Sequence, residues 1–178
     1  WLQIASNSPA VAAPRDQELA VAWANAGAAY LKQGRYGEAE AALQRALELR
    51  VPSNRDSEVF AAQVLNNLGV TYKSRALFKP AEASYTQAMK LLIGAGLGSG
   101  EEALILRNNV AELYREQGQL GKAEKLLRES LELREKALGP RHPKIADVLN
   151  NLAEVLRAQG RLDLAEAYHK QALSIREA

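Results

Sequence analysis

The dipeptide Asn-Asn recurs in this chain at a constant spacing, which constrains the fold more than any other feature of the sequence. Asn66-Asn67, Asn108-Asn109 and Asn150-Asn151 follow one another in steps of 42 residues, and one further step back leads to Asn25. The same step relates four alanines and four glutamates: Ala39, Ala81, Ala123 and Ala165, and Glu40, Glu82, Glu124 and Glu166. Four copies in register over most of the 178 residues predict a repeat protein.

Each unit is predicted to contain two helices. In the last copy, apolar residues recur at spacings of three and four from Ile145 to Leu156, Gly160 interrupts the pattern, and a second stripe runs from Leu162 to Ile175. We therefore expect helix pairs near residues 17–50, 58–92, 101–137 and 143–177. Two helix starts are indicated, one by the proline in His142-Pro143 and one by the capping-box spacing of Ser99 and Glu102.

The composition excludes several classes of function. The chain has no cysteine and two widely spaced histidines, which leaves no thiolate chemistry and no recognisable metal-ligand spacing. Its 23 Lys and Arg residues balance 21 Asp and Glu residues without a charged block, which argues against a nucleic-acid partner. No apolar run is long enough to span a membrane, and the glycine-rich run 94–100 lacks the Lys-Ser/Thr ending of a phosphate loop. We therefore predict a non-enzymatic protein with no catalytic residue, no cofactor and no metal site.

The repeat unit resembles a known family. The first copy matches the tetratricopeptide repeat at Trp23, Gly27, Tyr30, Gly34, Tyr36, Ala39 and Ala46. The longer unit, with segments 137–143, 149–153 and 159–161, is similar to the kinesin-light-chain subtype. The resemblance implies an all-α, right-handed α-solenoid of four helix-turn-helix repeats at about 16–57, 58–99, 100–141 and 142–178. Residues 1–15 would precede this array as an extended or disordered leader, or would pack on the first helix pair.

The asparagines are the predicted functional residues. Asn67, Asn109 and Asn151, with Asn25 in the first copy, lie on polar helix stripes that face away from packing residues such as Leu65 and Leu68. The resemblance implies that this surface is a concave groove whose asparagines hydrogen-bond the backbone of an extended peptide, for which an amide has both a donor and an acceptor. We include the neighbouring Asn66, Asn108 and Asn150 in the predicted groove. The alternative is that these amides serve helix packing or cap neighbouring turns.

A row of cations lies beside the asparagines, at Lys73, Arg115 and Arg157. They would select acidic side chains of a bound peptide. Alternatively, they complement the dipole at helix C-termini and pair with glutamates three residues earlier, as Glu112 precedes Arg115. The tetratricopeptide grooves that bind chaperone C-termini require a lysine where this chain has Ala24, Asn66, Asn108 and Asn150, which argues against that class of ligand.

The leading hypothesis is a protein-protein interaction adaptor that binds a peptide or partner segment in its groove, with acidic side chains of the ligand beside the cation row. An assembly factor that docks a folded complex through its convex face or an array end is the alternative, as is a sensor module of a larger protein. The unit at 142–178 lacks a polar capping helix, so we expect a fragment of a longer protein, an end that docks a partner, or self-association. The absence of cysteine suits the cytoplasm, and equally an organelle reached with a transit peptide.

Overall fold

The computed structural model describes residues 14–50 and 54–177, and these residues form eight α-helices and no strand. In chain order the helices are α1 (Pro14–Lys32), α2 (Tyr36–Leu49), α3 (Arg55–Ser74), α4 (Phe78–Gly94), α5 (Glu101–Glu116), α6 (Leu120–Leu138), α7 (Pro143–Ala158) and α8 (Leu162–Arg176). They pack as four pairs, one pair per repeat, which confirms the predicted helix pairs. Helix α1 begins inside segment 1–15, and the rest of that segment lies outside the described residues.

The turn inside each pair depends on one residue with a left-handed backbone. Gly34, Gly118 and Gly160 have φ angles of 72°, 73° and 78°, a region that glycine enters without a clash of its own Cβ. In the second repeat Ala76 stands at the same place, with φ of 57°. An alanine is strained in this region, so the second repeat carries local backbone strain that the other three avoid.

Of the two predicted helix starts, the one at His142-Pro143 is confirmed and the one at Ser99 is wrong. His142 precedes α7 as predicted, and its Nδ1 accepts a hydrogen bond from the backbone of Lys144 at 3.2 Å. The capping box predicted at Ser99 is wrong, because α5 begins after Gly100 and no side chain caps it. A capping box occurs instead at α3, where Oδ1 of Asn54 accepts from the backbone of Ser57 at 2.9 Å and the Ser57 hydroxyl accepts from the backbone of Asn54 at 3.2 Å.

Small residues form the contact between the two helices of each repeat. Ala39, Ala81 and Ala123 on the second helices are fully buried, and Ala165 is nearly so. On the first helices the matching small residues are Gly27, Gly69, Ala111 and Ala153. A Cβ atom added to Gly69 would lie 2.3 Å from Cε1 of Tyr85. The ring of Tyr85 on the second helix therefore packs directly against the backbone of Gly69 on the first helix.

The repeats stack so that the first helices of neighbouring repeats lie side by side. Backbone contacts join α1 to α3, α3 to α5 and α5 to α7, whereas no Cα atoms of α2 and α4, or of α4 and α6, come within 8 Å of each other. Because the first helices are closer together than the second helices, the stack curves. Helices α1, α3, α5 and α7 therefore form the inner, concave surface.

A glutamate at one position of the second helix binds the following repeat at each internal junction. The pairs are Glu40 with Arg75, Glu82 with Tyr114, and Glu124 with Gln159 and Arg161. Glu124 accepts hydrogen bonds from Nε2 of Gln159 and Nη1 of Arg161, each at 3.0 Å. Burial alone would raise the pKa of Glu124, but the hydrogen bonds from Gln159, Arg128 and Arg161 outweigh it and lower the pKa. These glutamates form the junction ladder.

We predict that replacing Gly69 by alanine lowers the free energy of unfolding by about 1–3 kcal/mol, because the added methyl overpacks the contact with Tyr85. The third repeat has alanine and leucine at these two positions (Ala111 and Leu127). The double variant Gly69→Ala/Tyr85→Leu should therefore be more stable than the sum of its single effects, as measured by urea unfolding. Gly121→Ala is the control, since a Cβ there meets no atom within 4 Å. Additive single effects would contradict this account.

We also predict that acid loosens the last repeat through Glu124. Since the folded state lowers the pKa of this carboxyl, its contacts stabilise the junction at neutral pH and are lost as the pH falls through that lowered pKa. Hydrogen-exchange protection of α7 and α8 should fall more with acid in the parent chain than in Glu124→Gln, which lacks the titrating group. Glu132→Gln, a change at an exposed carboxyl of the same helix, should keep the parent's response. Identical acid sensitivity in all three proteins would refute the prediction.

Candidate functional site

The polar stripe predicted on the first helices lies on the concave surface. Its members in successive repeats are Val21 and Asn25, Gln63 and Asn67, Ile105 and Asn109, and Asp147 and Asn151. Six of these eight side chains are exposed, and Asn67 and Asn109 are half-buried. The stripe is therefore available to a ligand along the whole inner face, and we call this surface the groove.

A depression of about 330 Å³ deepens the groove between α3 and α5. Its polar lining is Gln63, Asn66, Asn67 and Glu102, and its apolar lining is Ala62, Leu92, Ile105 and Leu106. This volume is at the lower end of that of small-ligand pockets. A single large apolar side chain, flanked by the amides, is the kind of group that such a depression accommodates.

The two asparagines of each pair have different surroundings. In the first position, Oδ1 of Asn108 accepts a hydrogen bond from the Ser130 hydroxyl at 3.3 Å, and Oδ1 of Asn150 lies 3.1 Å from Nδ1 of His169. Ser130 and His169 belong to the second helices. Asn108 and Asn150 therefore contact the second helices, as expected if these amides serve helix packing and do not bind a peptide.

Asn66 connects neighbouring repeats instead. Its Oδ1 accepts a hydrogen bond from Nδ2 of Asn109 at 2.8 Å, which joins α3 to α5 at the edge of the depression. Asn25, Asn67 and Asn151 make no side-chain hydrogen bond with any described residue. These three amides therefore have both donor and acceptor capacity free on the inner surface.

The predicted cation row is matched by acidic residues. Lys73 is nearly covered, with 10% of its side chain exposed, because its Nζ lies 2.6 Å from Oε2 of Glu112 and 3.3 Å from Oε1 of Glu116 on the next first helix. This pairing across repeats was not evident from the sequence, where Lys73 and Glu116 are 43 positions apart. Lys73 therefore joins α3 to α5 and has little free surface for a ligand.

Arg115 and Arg157 continue the row toward α7. Arg115 lies 4.0 Å from Glu112, and Nη2 of Arg157 lies 2.7 Å from Oε2 of Glu154. The hydrogen bond from Arg157 is the largest influence on Glu154, and with the charges of Arg157, His169 and Arg115 it outweighs burial and lowers the pKa of this carboxyl. The result is a row of alternating charges, in which Arg157 has the most exposed side chain.

The two histidines have separate surroundings. His142 caps α7, while His169 lies beside Asn150 and 3.5 Å from Glu154. Within residues 14–50 and 54–177, no group of three or more His, Asp or Glu side chains is arranged to hold a metal ion. No helix in these ranges is both long and apolar enough to cross a lipid bilayer.

The stacked helix pairs, their small-residue contacts and the concave inner face define a helical-repeat solenoid. The family profile described as tetratricopeptide repeat matches residues 18–93 and 101–178. The chain belongs to the tetratricopeptide-repeat family, whose fold is in general a non-catalytic scaffold for protein-protein interaction. No curated protein sequence matches it closely enough to count as a relative.

Solved structures share this fold at low sequence identity. BtubC (BKLC) from P. vanneervenii has a TM-score of 0.78 and 23% identity, over 92% of this chain and 64% of that one. The apo form of RapI has a TM-score of 0.77 and 16% identity, over 90% and 57%. A putative kinesin light chain from Podosopora anserina with nearly identical TPR-like repeats has a TM-score of 0.68 and 21% identity, over 88% and 74%. The chain thus spans less than two thirds of the first two proteins.

Proposed function

We propose that this chain is a non-enzymatic adaptor that holds an extended segment of a partner protein in its groove. One observation carries the proposal. The amides of Asn25, Asn67 and Asn151 recur at multiples of one repeat on the inner surface, and none of them bonds to a described residue. An asparagine side chain offers the same donor and acceptor as a peptide unit, so a row of free amides suits recognition of a backbone.

The surroundings of the amides suggest which side chains the ligand carries. Beside Asn67, the depression formed by Leu92, Ile105 and Leu106 favours an apolar residue. Farther along α7, six residues after Asn151, Arg157 has the most exposed side chain of the cation row and favours an acidic residue. That acidic residue competes with Glu154 for Arg157, so we expect charge to contribute selectivity more than affinity.

A second candidate function, docking of a folded complex on the convex face, is supported by a cleft on the outer surface. The cleft has a volume of about 430 Å³, lies between α4, α5 and α6, and includes Met89, Ile93, Val110, Tyr114 and Leu126 in its lining. Val110 stands where the neighbouring repeats have Leu68 and Leu152. The smaller side chain leaves apolar space at this junction, as an assembly factor that binds through its outer face would need.

The proposed adaptor function includes a compartment. We place the adaptor in the cytoplasm, with the interior of an organelle as the alternative, because the sequence has no cysteine. Self-association would use surfaces other than the depression, since the exposed Leu162 and Leu173 lie on α8.

We predict that the groove asparagines contribute to binding at any ionic strength. The probe is a peptide selected from a random display library on the intact chain, with affinity measured by calorimetry. Replacing Asn25, Asn67 or Asn151 by alanine should weaken binding about fivefold each, the effect of losing a hydrogen bond of about 1 kcal/mol. Arg157→Ala should weaken binding mainly at low salt, because exposed charges are screened.

Two control variants separate the candidate functions. Asn108→Ala removes an amide that bonds to Ser130 rather than facing a ligand, so the folded variant should bind the probe as the parent does. Val110→Trp fills the outer cleft and should also leave groove binding unchanged. If the triple asparagine variant folds and binds the probe with unaltered affinity, the groove proposal fails. If only Val110→Trp loses binding, the probe binds in the outer cleft and not in the groove.

A further inference from the structure

The fourth glutamate of the junction ladder has no neighbouring repeat to bind among the described residues. Glu40, Glu82 and Glu124 each bind the repeat that follows. Glu166 occupies the same position on α8, yet its ion pair is with Lys170 of its own helix, Oε1 to Nζ at 2.5 Å. At each earlier junction the carboxylate at this position binds the next repeat. The carboxylate of Glu166 has no such partner among the described residues.

The first repeat carries the complementary pair of donors. Gln33 and Arg35 stand three repeat steps before Gln159 and Arg161, the donors to Glu124. Both pairs have the same internal geometry, since the arginine Nη1 donates to the glutamine Oε1 at 3.2 Å in the first repeat and at 3.1 Å in the fourth. Within the first repeat, Arg35 pairs with Glu38 of its own turn. The turn between α1 and α2 therefore displays the same pair of hydrogen-bond donors that bind Glu124 at the last internal junction.

The apolar surfaces beside these polar groups are complementary in the same way. On α8, a shallow groove of about 360 Å³ is lined by Ala165, His169 and the exposed Leu162 and Leu173, which are 63% and 55% exposed. The equivalent residues of α6 pack against the following repeat, as Leu127 does in the cluster that includes Val148 and Leu152.

Helix α1 exposes the face that later first helices bury. Trp23 is 42% exposed, whereas its equivalents Leu65 on α3 and Leu149 on α7 are buried and Arg107 on α5 is half-buried. Alanines replace three further apolar residues of α7, with Ala22, Ala26 and Ala29 in place of Val148, Leu152 and Val155. The face is therefore apolar but flatter than that of α7.

We propose that two copies of this chain associate head to tail, with the α1–α2 repeat of one copy docked on α8 of the other as an internal junction docks. Arg35 and Gln33 of one copy bind Glu166 of the next, and Trp23 lies against Leu173. The contact is heterologous and does not close on itself, so association continues into longer chains of copies. Because alanines and His169 replace larger apolar residues, this contact is weaker than an internal junction and depends on concentration.

The contact does not involve the free amides of the groove, so it goes beyond the proposed adaptor function and is tested separately. Sedimentation velocity of the 178-residue chain should show association that increases with concentration. Trp23→Glu blocks the α1 face and Leu173→Glu blocks the α8 face, so each variant alone should remain monomeric. Mixed in equal amounts they should form a one-to-one complex, because each still has one intact face.

Charge exchange tests the polar pairing. Arg35→Glu and Glu166→Arg should each weaken self-association about tenfold, the loss of one hydrogen-bonded charge pair, and their mixture should recover part of that loss. Leu164→Glu, at an exposed leucine of α8 outside the α8 groove, is the matched control and should associate like the parent chain. The triple asparagine variant should also associate normally, so failure of the groove and failure of the docking contact give different results. A parent chain that is monomeric at every concentration, or blocked variants that form no mixed complex, would overturn the proposal.

Discussion

The two helices of each repeat meet at small residues, a glycine or an alanine on the first helix and an alanine on the second, and the arrangement of the solenoid follows from that contact. Gly69 lets the ring of Tyr85 rest on the helix backbone, and Ala81 on the opposite helix is fully buried. Close approach within pairs lets the first helices pack side by side at the inner surface. The placement of the groove asparagines at multiples of one repeat is therefore a consequence of the helix-helix contact and not of the amides themselves.

The positions of the helices could be predicted from the sequence because each position of the repeat occurs four times in the chain. The period of 42 residues identified the helix pairs, and it relates Gly160, where the sequence predicted a break, to Ala76 in the second repeat. The capping box at Asn54 was missed because its fourth residue is a serine, not the usual acid or amide. At Ser99 the spacing of the motif was present, but the helix begins one residue later. Local motifs were thus less informative than the repeat.

The site was predicted less completely, for two physical reasons. Adjacent helix residues point about 100° apart, so Asn66 and Asn67 do not share the same surroundings. The first asparagine of each pair bonds to protein, and so does Asn109. The partners of Lys73 lie on a different repeat, where side-chain conformation decides the contact. The resulting alternation of charge makes the groove nearly neutral at short range, so its selectivity depends on amide geometry and on the apolar depression more than on net charge.

Because each repeat contacts only its immediate neighbours among the described residues, no contact within residues 14–50 and 54–177 holds the two ends of the solenoid together under load. A force applied between the two ends would act on the junctions in series, and the weakest would separate first. Each detached repeat of 42 residues would release about 150 Å of extended chain, at about 3.5 Å per residue. The glycine-rich connector at residues 94–100 and the outer cleft lie at the same junction, α4 to α5. Under tension the molecule would therefore extend in steps, one repeat at a time, and not as a single cooperative unit.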